Sequence, residues 1–306
     1  MPLRRLRPGD TVGVAALSGP VDPADLDRGC AALEAMGYRV RRAANLGLRN
    51  GLLGLAGSEE ERLAGYRELL LDPEVSAILF ARGGYGATPL LPLLDPEEMA
   101  AHPKIHCGFS DLTAIGARLL ARCSLPSFHG PMVAADLAQG LDQLSAEFFP
   151  AMLEGRGPSH LALPGADVLA PGDAEGRLVG GCLSLLAAMV ATGDEYPYEG
   201  SILLVEEVGE EAYRIDRMLV TLRDAGRLAK LGGILIGSLS AVTFGGAENP
   251  ARLRALLVER LGPLGIPVVA GVPAGHRGPN VTLPIGARVA WSERRRVLEF
   301  RERIVA

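Results

Sequence analysis

The strongest constraint on the fold is an alternation, through the first half of the chain, of short apolar runs with helix-type segments. Thr11–Leu17 (TVGVAAL), Val75–Ala81 (VSAILFA) and Ile105–Phe109 are near-continuous apolar stretches of strand length, and Tyr38–Ala43 reads as a further strand. Helix signals lie between them. Asp22 followed by Pro23 sets a side-chain acceptor at a cap with proline in the first turn, and Leu26, Cys30 and Leu33 then keep the helical period up to Gly37. Ser58 and Glu61 have the spacing of a capping box, opening a helix through Leu71 with Leu63, Tyr66 and Leu70 on one face. Another helix is expected from Asp111 to about Arg122. Apolar strands that alternate with helices call for a parallel sheet covered on both faces. Ligands bind such sheets outside the carboxyl ends of the strands. Two loops fall there, Arg82–Gly86 (RGGYG) and Ser110-Asp111.

The pattern then changes. After a helix-like segment at about Gly140–Leu153, the stretch Gly155–Gly176 is rich in Gly, Pro and Ala and reads as a linker or crossing segment. Beyond it, Leu183–Val190 reads as a buried helix, Ile202–Glu206 as a strand, and Arg214–Ala225 as a helix with Ile215, Met218, Leu219 and Leu222 on one face. Gly233–Ser238 and Val268–Ala270 read as strands, and Asn280–Phe300 as short strands with turns at Pro284–Gly286 and Ser292–Arg294. A chain of 306 residues accommodates two domains. The expectation is an α/β protein: a flavodoxin-like parallel-sheet domain over residues 1–150, then a smaller mixed α/β domain over residues 170–306.

Composition excludes several function classes. With 31 Lys and Arg against 36 Asp and Glu, the net charge is −5, whereas a nucleic-acid binder needs a basic face. Cys30, Cys107, Cys123 and Cys182 have no CxxC spacing and no clustered histidine, so neither a metal site, another cofactor nor a disulfide framework is expected. Free thiols point to a reducing, cytoplasmic compartment. The longest uncharged stretches, Leu178–Gly193 and Leu231–Ala247, fall short of the roughly 18 residues of a membrane span. The basic start Met1–Arg7 precedes an apolar run as in a signal peptide, but Pro8-Gly9-Asp10 interrupts it, and a first buried strand is the expected reading.

The histidines are His102, His106, His129, His160 and His276. His276, in the polar loop Pro-Ala-Gly-His-Arg-Gly-Pro-Asn, is a candidate base, with an ordinary turn histidine as the alternative. His106, inside a strand, reads as a core residue. His129, at a strand end in Phe-His-Gly-Pro-Met, is either a substrate contact or a structural hydrogen-bonding group. Ser110 follows one strand and precedes a helix, where its hydroxyl projects from the sheet beside free backbone N–H groups suited to an oxyanion. The alternative is that Ser110 caps the helix. A Gly-x-Ser-x-Gly elbow is only half present, because Leu112 stands where the second glycine would be. Arg82-Gly-Gly-Tyr-Gly86 lacks the Lys-Ser/Thr of a P-loop, and reads as an oxyanion-hole or substrate-carboxylate loop, or as a plain tight turn. Glu206 and Glu207 close a buried strand, as a histidine-orienting carboxylate or as two solvated charges. As neighbours in a strand they point to opposite faces, so only one is expected to share a crevice with His276.

Taken together, these segments resemble the LD-carboxypeptidase family, the muramoyltetrapeptide carboxypeptidases. The resemblance rests on Val14-Ala-Ala-Leu-Ser-Gly-Pro20, Arg82-Gly-Gly-Tyr-Gly86, Gly108-Phe-Ser-Asp-Leu-Thr113, Phe128-His-Gly-Pro-Met132, Leu204-Val-Glu-Glu-Val-Gly-Glu210, Tyr213-Arg-Ile-Asp-Arg-Met218, and Gly275-His276 with Val281-Thr-Leu-Pro-Ile-Gly286. It runs from about residue 9 to residue 290. It implies a serine peptidase that cleaves the C-terminal D-Ala from murein tetrapeptide in wall recycling, acting as a homodimer. It further implies a triad of Ser110, His276 and Glu206, and an oxyanion hole made by the N–H of Asp111 and that of Gly83 or Gly84. Arg82, Arg214 and His129 are candidate substrate contacts, with pairing to Asp216 or capping of its own helix as the alternative for Arg214. One departure stands out: Gly180-Gly-Cys-Leu183 replaces an expected Gly-Gly-Asn-Leu, so a contact by that Asn does not carry over to Cys182. Two rival readings are a microcin C immunity-type peptidase and a non-catalytic muropeptide-binding protein. The first needs an aromatic ring for a nucleobase, and Trp291 is the single tryptophan.

Overall fold

The computed structural model describes residues 2–306. Its first sheet is built from β1 (Thr11–Ala15), β2 (Arg39–Arg42), β3 (Val75–Phe80), β4 (Ile105–Cys107) and β5 (Ser127–His129), all parallel. Their spatial order is β2-β1-β3-β4-β5, the flavodoxin-like order. The helices between them are α1 (Pro23–Ala35), α2 (Glu59–Leu71), α3 (Ala87–Leu90), α4 (Pro96–Ala101) and α5 (Thr113–Cys123). Their starts follow the side chains that cap them. The Asp22 carboxylate accepts from the N–H groups of Ala24 and Asp25 ahead of α1, and Ser58 and Glu61 close a reciprocal capping box on α2. The Arg-rich β2 is largely exposed because it forms the sheet's edge, where charge blocks further strand addition.

After α6 (Gln143–Leu153) comes a second, eight-stranded sheet, containing β6 (His160–Ala162), β7 (Asp167–Ala170), β8 (Ala174–Cys182), β9 (Ser201–Val208), β10 (Gly233–Ser240) and β11 (Val268–Ala270). β8 to β11 run parallel and are joined by α7 (Leu183–Ala188), α8 (Ala212–Asp224) and α9 (Pro250–Leu261). β12 (Leu283–Ile285) does not join them. It returns to the first sheet and pairs antiparallel with β5, before β13 (Arg288–Ser292) and β14 (Val297–Phe300) complete the second. The segment read as a linker, Gly155–Gly176, thus supplies β6 and β7, which occupy the two edges of the second sheet. Both are only partly covered and each pairs on one side alone, so the apolar pattern of a buried strand is missing there.

One continuous apolar core runs through both sheets. At their junction, Leu178 of β8 exchanges backbone hydrogen bonds with the chain leaving β12: its N–H donates to Ala287 O (2.8 Å) and its carbonyl accepts from Gly286 N–H (2.7 Å). Nearby, Cys182 N–H donates to Thr113 Oγ1 at 3.0 Å, fixing the end of β8 against the start of α5. Among the described residues no helix is long and apolar enough to cross a membrane.

Candidate active site

At this junction Ser110, His276 and Glu206 meet. Ser110 occupies the turn between β4 and α5, with φ at +62°, a left-handed conformation rare for a residue with a side chain. It caps neither the short 3₁₀ turn Ser110–Leu112 nor α5, since no side chain caps either one. The capping alternative is therefore set aside. Backbone strain at a strand-to-helix turn instead turns the hydroxyl outward, and Oγ lies 3.0 Å from His276 Nε2. The neighbouring loop leaves room for it only because residue 83 is glycine: a Cβ there would fall 2.9 Å from Ser110 Oγ.

His276 sits in the loop between β11 and β12. Gly275 has φ +114°, and a Cβ on it would lie 2.8 Å from Glu206 Oε2, so the chain passes close to that carboxylate just before the histidine. Gly275 N–H donates to Asn280 Oδ1 (3.0 Å), Arg277 N–H to Ser238 Oγ of β10 (3.2 Å), and Asn280 N–H to Ser145 Oγ of α6 (2.9 Å). The Phe109 and His276 rings pack edge to face, with centroids 4.9 Å apart.

Glu206, in β9, is 0% exposed, and its Oε2 lies 2.7 Å from His276 Nδ1. Nδ1–H donates to the carboxylate, which leaves Nε2 free to accept from the serine hydroxyl. Such a line can carry nucleophilic acyl transfer. Burial pulls the pKa of His276 down, but the Glu206 hydrogen bond and the charges of Glu206, Glu207 and Asp136 raise it, and the net direction is upward. A base works in its neutral form, so kcat/KM for the free enzyme is expected to fall as pH drops through a midpoint above about 6.5, the ordinary histidine value. Glu207→Gln, which removes one of the raising charges, is expected to move that limb to lower pH. A limb that stays in place in the pH–rate profile would exclude this account.

The serine and histidine open onto a cleft of about 660 Å³, also lined by Arg82, Gly83, Gly84, Asp136, Cys182, Ser184 and Glu207. Arg82 reaches the cleft from the Gly-rich loop and donates from Nη1 to Pro20 O at 3.1 Å. The other expected contacts lie elsewhere. His129 is 3% exposed, lies behind Phe109 (centroids 5.5 Å apart) and does not line the cleft. Burial, with the neighbouring His276, pulls its pKa down to about 3, so it is a neutral core group. Arg214 projects from α8, where its guanidinium bonds Tyr213 Oη (3.2 Å) and Glu210 (3.3 Å). Asp216 pairs with Arg260 instead. Trp291 is 1% exposed in β13, away from the cleft, and offers no ring for nucleobase stacking.

Of the two adjacent glutamates, Glu206 bonds His276 without lining the cleft, and Glu207, next to it at the end of β9, is the one that lines it. Glu207 Oε2 accepts from Ser184 N–H (2.7 Å) and Oε1 from Val208 N–H (2.9 Å). Cys182 Sγ lies 3.4 Å from Glu207 Oε2 and 3.2 Å from Ser184 Oγ. Burial and the charges of Glu206 and Glu207 push its thiol pKa up, so it is a neutral, weak donor to Glu207. Asp136 is one of the cleft residues, with Ser184, that the sequence reading missed. Its Oδ2 accepts from Met132 N–H at 2.7 Å. Its one signal was being the single acid in the mostly apolar run from Gly130 to Ala138.

Family profiles match two parts of the chain: the LD-carboxypeptidase N-terminal domain over residues 12–130 and the LD-carboxypeptidase C-terminal domain over residues 175–290. A relative from Bacillus subtilis (strain 168), named "Probable murein peptide carboxypeptidase", is 36% identical over 293 residues, covering 94% of this chain and 91% of its own length. The crystal structure of muramoyltetrapeptide carboxypeptidase from Oxalobacter formigenes is similar, with a TM-score of 0.80, 30% identity, and coverage of 94% of this chain and 97% of that one. The structure of MccF in complex with glutamyl sulfamoyl guanosine superposes with a TM-score of 0.92 over 100% of this chain and 99% of that chain; at 24% identity the likeness is one of fold.

Proposed function

The chain belongs to the LD-carboxypeptidase family and is a serine-type carboxypeptidase, and on that premise we propose that it removes the C-terminal D-alanine from the murein tetrapeptide L-Ala-γ-D-Glu-diamino acid-D-Ala. The observation that carries this reading is the hydrogen-bonded line from Glu206 through His276 to Ser110 at the floor of an open cleft. Ser110 Oγ attacks the carbonyl before D-Ala as His276 Nε2 takes its proton, and Glu206 stabilises the imidazolium. The proton then passes to the departing amine of D-Ala. Water, activated by the same histidine, hydrolyses the acyl-enzyme.

Asp111 and Gly84 supply the N–H groups for the oxyanion. Peptide geometry supports Gly84 over Gly83. Gly83 O accepts from Gly19 N–H (3.1 Å), on the β1 side of the loop. In a planar trans peptide the next N–H points the opposite way, toward the β4 side where Ser110 lies. Arg82 is the one Lys or Arg lining the cleft among the described residues, and takes the D-Ala carboxylate. The unpaired thiols support a cytoplasmic location, and the family resemblance supports a homodimer.

The test is to incubate the purified chain with murein tetrapeptide and measure free D-Ala and tripeptide. Equimolar release that survives exhaustive chelation is expected. Absence of D-Ala, or loss on chelation with rescue by Zn²⁺, would overturn the reading.

A further inference from the structure

Asp111, next to Ser110, carries a buried carboxylate with no part in the proton transfers; it is 1% exposed. It gathers the loops at the carboxyl ends of β1, β3 and β4. Its Oδ2 accepts from Ser18 Oγ of the β1 loop (2.5 Å) and from Ala87 N–H, just past the Gly-rich β3 loop (2.8 Å). Behind it the buried guanidinium of Arg62 donates to the carbonyls of Leu17 and Gly86, holding the same two loops from the other side. Gly19 N–H on Gly83 O completes the tie. Burial raises the Asp111 pKa, opposed by these two hydrogen bonds and by the charge of Arg62.

Taking Ser110 as the nucleophile, as proposed above, we propose that the Asp111 side chain is a positioning group that sets the oxyanion hole. Its backbone N–H is one donor. Its carboxylate, through Ala87 and Ser18, fixes the distance of the Gly83-Gly84 peptide, the other donor, from Ser110. The same carboxylate holds the turn in which Ser110 keeps its left-handed backbone. Donors fixed before the reaction starts stabilise the transition state and leave substrate binding almost unchanged.

Both bonds fall on Oδ2, so an amide oxygen can replace it, whereas a methyl group cannot. The experiment compares Asp111→Ala, Asp111→Asn and Ser18→Ala in the full chain. It measures kcat and KM for murein tetrapeptide and the affinity for a tripeptide aldehyde that forms a tetrahedral adduct on serine. Asp111→Ala is expected to lower kcat by about 10²-fold or more, as loss of an oxyanion donor does. KM is expected to stay within about threefold, the mark of an interaction made only in the transition state. Aldehyde affinity should fall in step with kcat, Asp111→Asn should recover most of both, and Ser18→Ala should show a smaller fall in the same direction. An unchanged kcat in Asp111→Ala, equal damage in Asp111→Asn, or a KM rise that accounts for the whole loss would overturn the proposal. If Asp111→Ala does not fold, Ser18→Ala decides, and wild-type kcat and aldehyde affinity there would overturn it. A wild-type protein that releases no D-Ala would instead sink the proposed function.

Discussion

Ser110→Ala is expected to lower turnover by at least about 10³-fold, leaving only the rate supplied by the oxyanion hole and substrate binding. The substitution removes one oxygen and keeps Cβ, so the left-handed turn and its neighbours keep their shape. Among the described residues the only side-chain hydrogen bond lost is the one to His276 Nε2. Melting temperature and circular dichroism should match the wild type, and tetrapeptide affinity should be retained, because neither depends on Oγ. Single-turnover measurement of D-Ala release, which detects slow residual cleavage, is the appropriate assay. A variant that keeps half its turnover would remove Ser110 from the chemistry.

Glu206→Gln should be nearly as damaging, at about 10⁴-fold in kcat, the cost of losing the orienting carboxylate in the serine-protease template. The glutamine is close in size, but its NH₂ group can face Nδ1 and favour the wrong imidazole tautomer. It also withdraws the charge that stabilises imidazolium in the transition state. Glu206 has no exposure, so water cannot make up the loss. Glu207→Gln is expected to be milder and to act mainly on KM, because Glu207 bonds the backbone of Ser184 and Val208 at the cleft wall and does not bond His276. Steady-state kinetics on both variants test the pair, and a dead Glu207→Gln beside an active Glu206→Gln would reverse the assignment.

Much of the architecture was legible in the sequence because buried parallel strands are written as apolar runs. Val75–Ala81 and Val268–Ala270 could hardly read otherwise, and Ser58 with Glu61 announced α2 through capping chemistry alone. β6 and β7 were illegible for the opposite reason: edge strands are half solvated and lose the pattern. Local sequence left Ser110 open between cap and nucleophile. Its backbone angle and its distance from His276 depend on residues far along the chain. The same limit applied to His129 and Arg214. Residue type gave them binding chemistry, but whether a side chain faces a cleft is decided by packing, and one proved buried behind Phe109 and the other turned to Glu210. Alternation does separate the two glutamates, since Glu207 lines the cleft and Glu206 does not, but which of them bonds His276 is set by the distant Gly275 loop and not by local sequence.

The return of β12 to the first sheet has a consequence for how the protein comes into being. On a ribosome, β5 stays a bare sheet edge while nearly all of the second sheet is made, since its partner Leu283–Ile285 comes from late in the chain. His276 emerges just ahead of that partner, so the base arrives with the strand that closes the sheet. A nascent chain thus carries the serine long before it can use it, and hydrolytic competence switches on only once His276 and β12 have been made.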